Sequence, residues 1–146
     1  MLFRSRGLLL ALDYGYVRSA YYHPSRSDGT LLCHVDQAVH SDPMRLVGLQ
    51  DLTASVDFTA LARAAQDLGF EVNGFTSQTW FLLGCGLEQR LSGPDAPDVA
   101  TIQAAKRLLM PQEMGDRVQA LALTRDLDIS LDAFALRDVS PRLELG

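Results

Sequence analysis

The first residues with chemical potential are Asp13, Tyr14 and Tyr16, grouped around Gly15 directly after the apolar run Gly7–Leu12. A short apolar run bounded by glycine reads as a strand buried on both faces, as in the middle of a parallel sheet. Open α/β sheets bind ligands outside the carboxyl ends of their strands, so this is the first place to look for a site. There Asp13 can accept a hydrogen bond from a ligand, and Gly15 permits a close backbone approach. The alternative is that Asp13 caps a turn and Tyr14 packs against a helix.

A second group lies in the segment Cys33–Asp42, where two histidines and two carboxylates fall within ten residues. Zinc sites show tighter pairings such as CxxC or HExxH, and neither occurs here, so no metal site is expected. A polar loop with a local hydrogen bond from His34 or His40 is the expectation. No GxGxxG, GxxxxGK[ST] or GxSxG motif is present. Trp80 and Phe81 sit in a leucine-rich stretch and read as core, and Glu88 with Arg90 reads as a solvated face.

The elements that must position these residues follow from periodicity. Phe58, Leu61, Ala62, Ala65 and Leu68 recur at helical spacing and predict a helix over residues 55–68, capped by Asp57 or Ser55 and closed by Gly69. Residues 70–76 alternate like a strand. Thr76 or Ser77 can start a second helix running to Leu91, although Gly84 and Gly86 weaken it. Ser92–Pro97 is a break. Asp98 can cap a third helix with Val99, Ile102, Ala105 and Leu108 or Leu109 on one face, and Pro111 stops it. Residues 118–125 form a strand candidate, and the alternation at Leu127, Ile129 and Leu131 suggests another. The stretch His34–Gln50 reads as irregular. Strand–helix–strand alternation predicts a parallel pair with a right-handed crossover.

Length and composition bound the answer. A chain of 146 residues, 47% hydrophobic and 21% charged, suits one folded domain. Thirteen basic residues against eighteen acidic ones give a net charge of −5, which argues against nucleic acid as a partner. The longest apolar run, Leu8–Leu12, is far short of the ~20 residues of a membrane span. Met1–Leu12 mimics a signal peptide, but its apolar part is short and Asp13 occupies the cleavage region. The expectation is a soluble, cytoplasmic chain with Cys33 and Cys85 reduced.

Seven stretches in order resemble the MidA-like class I S-adenosylmethionine-dependent methyltransferases, a family that includes protein-arginine methyltransferases. They are Leu9–Tyr16 (LLALDYGY), Tyr21–Pro24 (YYHP), Gly29–His34 (GTLLCH), Gly48–Phe58 (GLQDLTASVDF), Thr76–Leu87 (TSQTWFLLGCGL), Leu108–Gly115 (LLMPQEMG) and Leu121–Arg125 (LALTR). The resemblance implies the C-terminal part of a Rossmann-like methyltransferase sheet. Residues 7–14 correspond to its fifth strand, 55–68 to the following helix, and 70–76 to its sixth strand. Residues 77–110 correspond to a helical insertion, and 118–125 to an antiparallel seventh strand between the fifth and sixth.

The family's Gly-rich cofactor turn lies upstream of anything similar to Gly7. The resemblance therefore implies S-adenosylmethionine as the cofactor of the complete enzyme, with no tight binding to this chain. It implies a protein substrate, with Asp13, Tyr14 and Tyr16 on the substrate side and His34, Asp51 and Thr53 beside them. The chain departs from the family pattern at Asp36, Gln37, Val47, Ser55, Val118 and Gln119. The open edge left beside the first strand points to pairing with an N-terminal half, a homodimer or another chain. A non-catalytic remnant acting through protein interaction is the alternative.

Overall fold

The computed structural model describes residues 6–93 and 96–145. The leader-like Met1–Ser5 and part of the expected break, Pro94 and Asp95, lie outside these residues. The strands are β1 (Gly7–Tyr16), β2 (Leu32–Val35), β3 (Ala38–His40), β4 (Asp51–Thr53), β5 (Val56–Asp57), β6 (Glu71–Ser77) and β7 (Val118–Arg125). The helices are α1 (Arg18–Tyr21), α2 (Phe58–Asp67), α3 (Gln78–Gly84), α4 (Leu87–Ser92), α5 (Val99–Leu109) and α6 (Asp132–Ala135). None of them is long and apolar enough to cross a membrane.

The main sheet has the order β5-β1-β7-β6. β7 runs antiparallel to both β1 and β6, which makes those two parallel to each other. β5 joins the outer edge of β1 only at its end, through Gly15–Val56 and Tyr16–Asp57. The helices α3, α4 and α5 lie in sequence between β6 and β7. A second, antiparallel sheet has the order β3-β2-β4.

The core is built around β7 rather than β1. On one face Leu121 and Leu123 pack with Phe75 and with Phe58, Ala62 and Ala65 of α2. On the other face Ala120 and Ala122 meet Phe134 of α6, with Phe81 beside them. Small alanines on one face and leucines on the other let helices approach both sides of a single strand. Expected burial of the first strand on both faces is therefore corrected. Leu8, Leu9, Leu10 and Leu12 are each 42–46% exposed. The physical reason is topological, because among the described residues the outer edge of β1 has no partner before Gly15.

Helix α2 starts at Phe58 rather than residue 55, because Val56 and Asp57 are engaged as β5. Asp57 caps it by accepting the Ala60 N–H at 3.0 Å. The chain leaves the helix through Gly69 at φ +81°. Leu61 and Leu68, expected on the buried face, are exposed, whereas Thr59 is buried. The second helix is not continuous to Leu91. It stops at Gly84 and restarts after Gly86, whose φ of +82° suits glycine and interrupts the helix. Asp98 caps α5 by accepting the Thr101 N–H at 2.8 Å.

The segment expected to be irregular contains the β2–β3 hairpin, in which Asp36 and Gln37 form the turn with positive φ. The alternation at Leu127–Leu131 forms no strand. Leu131 instead packs beside Phe134. Both cysteines are free, Cys33 buried and Cys85 exposed.

Candidate functional site

The carboxyl ends of β1, β5 and β6 and the start of β7 lie along one edge of the sheet. A cleft of about 670 Å³ opens there, lined by Tyr14, Gly15 and Tyr16 of β1, Thr30, Leu32 and His34, Asp51 and Thr53, Ser55, and Arg117. The small sheet forms one wall. In its register Leu32 lies opposite Thr53 and His34 opposite Asp51. Residues two apart on a strand share a face, so these four side chains come to the cleft together.

Five of the six residues expected at the site thus meet: Tyr14, Tyr16, His34, Asp51 and Thr53. Asp13 does not join them. It is exposed, and its Oδ1 accepts the neighbouring Tyr14 N–H at 2.7 Å. Alternation along the strand aims it away from the side that Tyr14 takes. Asp13 caps no turn either, since it lies within β1 opposite Gln119 of β7.

Several lining residues were not legible beforehand. Arg117 arrives from the turn before β7, and its carbonyl accepts the Gly15 N–H at 3.4 Å. Thr30 Oγ1 accepts the Ser55 N–H at 3.2 Å and donates to the Tyr21 hydroxyl at 3.3 Å, which ties the loops on two sides of the cleft. Strand-level patterns carry no signal for contacts this distant in sequence.

The floor is held by packing and charge. A Cβ on Gly15 would collide with the Val56 carbonyl and the Phe58 ring, so glycine is required for β1 to close against β5 and α2. Beyond Tyr16, Arg18 donates from Nε and Nη2 to Asp57 Oδ2, both at 3.2 Å, and its N–H donates to Thr59 Oγ1 at 3.0 Å. The Arg26 guanidinium stacks 4.2 Å from the Tyr16 ring centroid, which restrains that ring.

Chemically the cleft offers one carboxylate, one guanidinium, an imidazole and several hydroxyls. It can bind a polar, partly cationic group against Asp51, and the His34 ring nitrogens can donate or accept a hydrogen bond there. Among the described residues no three His, Cys, Asp or Glu side chains come together as a metal-ligand set. Among the described residues no glycine-rich turn joins a strand to a helix.

Parallel strands joined through an inserted antiparallel strand, helices on both faces, and a polar cleft off the strand ends define a Rossmann-like α/β protein that takes ligands at one sheet edge. The chain belongs to the family described as "Putative S-adenosyl-L-methionine-dependent methyltransferase", whose model matches residues 2–76. It is 31% identical over 123 residues to the mitochondrial protein arginine methyltransferase NDUFAF7 of Rattus norvegicus, covering 80% of this chain and 26% of that protein.

Two crystal structures of proteins from Burkholderia thailandensis share the fold. One superposes with a TM-score of 0.87 at 38% identity, covering 94% of this chain and 38% of the other. The second, bound to S-adenosyl-homocysteine, gives a TM-score of 0.82 at 37% identity, covering 92% of this chain and 36% of the other. This chain therefore spans well under half the length of each of these relatives.

Proposed function

We propose that this chain supplies the acceptor side of an S-adenosyl-L-methionine-dependent methyltransferase that modifies arginine side chains of proteins. The observation that carries this reading is the convergence of Tyr14, Tyr16, His34, Asp51 and Thr53 on one cleft at the carboxyl end of β1. Family membership supports methyl transfer, and the name of the rat relative supports arginine as the acceptor. On this reading, which rests on the resemblance of its strands to the later ones of the family's sheet, the chain corresponds to the C-terminal part of the methyltransferase domain.

The residues have distinct tasks. Asp51 accepts hydrogen bonds from the acceptor guanidinium, and the like charge of Arg117 directs that group to the Asp51 side. The hydroxyls of Tyr14, Tyr16 and Thr53 orient it, which matters because aligned reactants account for much of such a rate enhancement. His34 takes the proton the acceptor nitrogen loses. The cofactor, when bound to the whole enzyme, supplies an electrophilic methyl group.

A calorimetric titration with a short arginine peptide tests this. Saturable binding is expected, weakened about tenfold by Asp51→Asn through loss of a charged acceptor. A citrulline peptide, equal in shape but uncharged, should bind more weakly. Equal binding of the two peptides refutes the acceptor role of the cleft.

A second reading rests on the four leucines exposed along β1. In it the chain acts without catalysis, by pairing that edge with another strand or with its own copy. Here Leu10→Lys abolishes concentration-dependent association in sedimentation. The arginine-peptide titration separates the readings, because saturable binding tighter than about 1 mM, roughly −4 kcal/mol, that Asp51→Asn weakens removes the non-catalytic one.

A further inference from the structure

A second cavity, of about 230 Å³, opens on the same edge of the sheet at the end of β6. It is lined by Thr76, Ser77, Trp80, Asp116, Gln119, Arg137, Val139 and Arg142, and shares no residue with the Tyr14 cleft. Its volume is several times a single water's share of about 30 Å³.

The polar groups in it are unusual. Thr76 is fully buried, yet among the described residues no group bonds its Oγ1, and the same holds for the buried Oγ of Ser77. Buried hydroxyls without partners are uncommon in folded proteins and call for an explanation. Both line the cavity. Two guanidiniums accompany them, and among the described residues neither Arg137 nor Arg142 forms an ion pair.

The site is also held in place. Asp138, between the lining residues Arg137 and Val139, is engaged elsewhere, accepting the N–H groups of Phe75 at 3.0 Å and Ser140 at 2.9 Å. The Val139 N–H donates to the Phe75 carbonyl at 2.7 Å. These bonds fasten the segment bearing both arginines to β6. The Arg137 guanidinium lies 5.3 Å from the Trp80 ring centroid, which restrains it further. Gln119 Nε2 donates to the Asp116 carbonyl at 2.8 Å.

From this arrangement we infer that the cavity binds a single carboxylate carried on a short alkyl stem. Two guanidiniums set against the Asp116 carboxylate leave one positive charge, which matches a carboxylate better than a doubly charged phosphate. Guanidiniums and hydroxyls supply the charge-assisted donors that a carboxylate takes, and the Trp80 indole offers an apolar wall for the stem. An acidic side chain of a bound protein and a free short-chain acid present the same chemistry. Carboxylate binding here stands or falls apart from methyl transfer, since the two sites share no residue.

Trp80 is the single tryptophan of the chain, so its fluorescence reports on this cavity directly. The probes are acetyl-Ala-Glu-Ala-amide, acetyl-Ala-Gln-Ala-amide and sodium butyrate, at ionic strength held constant with chloride. A saturable change with the glutamate peptide, with butyrate or with both is expected, the pattern telling a protein source from a free acid. The glutamine peptide should give none. Arg142→Gln, at an exposed position, should weaken binding about tenfold without loss of the folded spectrum. Thr76→Val should also weaken it, without loss of the folded spectrum. No saturation by either carboxylate up to about 10 mM, saturation by the glutamine peptide equal to that by the glutamate peptide, or an unchanged affinity in Arg142→Gln overturns the assignment.

Discussion

Asp57 is the residue at which helix, sheet and cleft are joined, and its replacement tests how. Its Oδ1 caps α2 through the Ala60 N–H, and its Oδ2 receives two donors from Arg18. The two roles differ in expected worth. Loss of a capping acceptor costs about 1 kcal/mol, within a range of roughly 0.5–2. The ion pair is worth less. The Arg18 side chain is 41% exposed against 12% for Asp57, and both donors share one oxygen at 3.2 Å instead of forming a parallel fork. Such a half-solvated pair contributes about 0.5 kcal/mol.

Asp57→Ala should therefore cost about 1.5–2 kcal/mol, which in a chain of this size lowers Tm by about 4–7 °C. Asp57→Asn keeps an oxygen for the cap and should cost only about 0.5 kcal/mol. Arg18→Ala should match the asparagine variant. Urea unfolding, read as the midpoint at constant m, measures all three. An asparagine variant as damaged as the alanine one refutes the reasoning, because charge pairing and not capping would then dominate. Because Tyr16 pairs with Asp57 in the sheet, the alanine variant should also loosen the Tyr14 cleft and weaken arginine-peptide binding.

Gly15→Ala forces a Cβ into the Val56 carbonyl and the Phe58 ring, and should cost about 1–3 kcal/mol in thermal unfolding. Phe58, fully buried against Phe75 with ring centroids 5.4 Å apart, should cost about 3–5 kcal/mol on replacement by alanine, and a urea midpoint shift of under half that would show the core to be placed wrongly. The Asp98 carboxyl is held below its ordinary pKa, first by the Thr101 N–H and then by the Thr101 side chain. A folded pKa below the unfolded one means stability that is full above about pH 4 and is lost as pH falls through the lowered value. A stability profile from about pH 5 to about pH 2 should lose this acid limb in Asp98→Asn, and parallel profiles for the two proteins would contradict it.

How much of this was visible in the sequence depended on the range of the signal. Asp57 and Asp98 were readable as caps because a cap is satisfied within three residues along the chain. The strand end at Tyr14–Tyr16 was readable as the place where a cleft could open, because an apolar run followed by polar residues marks where a strand leaves the core. His34, Asp51 and Thr53 came only through resemblance, since nothing in their spacing announces that β2 and β4 pair. Arg117 and Thr30 went unseen for the same reason.

The sequence by itself determined the local elements, their capping residues and the family. The tertiary structure decided which strand became central. GLLLAL and VQALAL look alike as apolar runs, yet Leu8–Leu10 lie half exposed on β1 while Ala120–Leu123 are buried on both faces of β7. Burial of a strand depends on neighbours to each side and layers above and below, which come from distant segments and leave no local periodicity. The same non-local pairing aimed Asp13 to solvent and brought Thr76, Arg137 and Arg142 around one cavity.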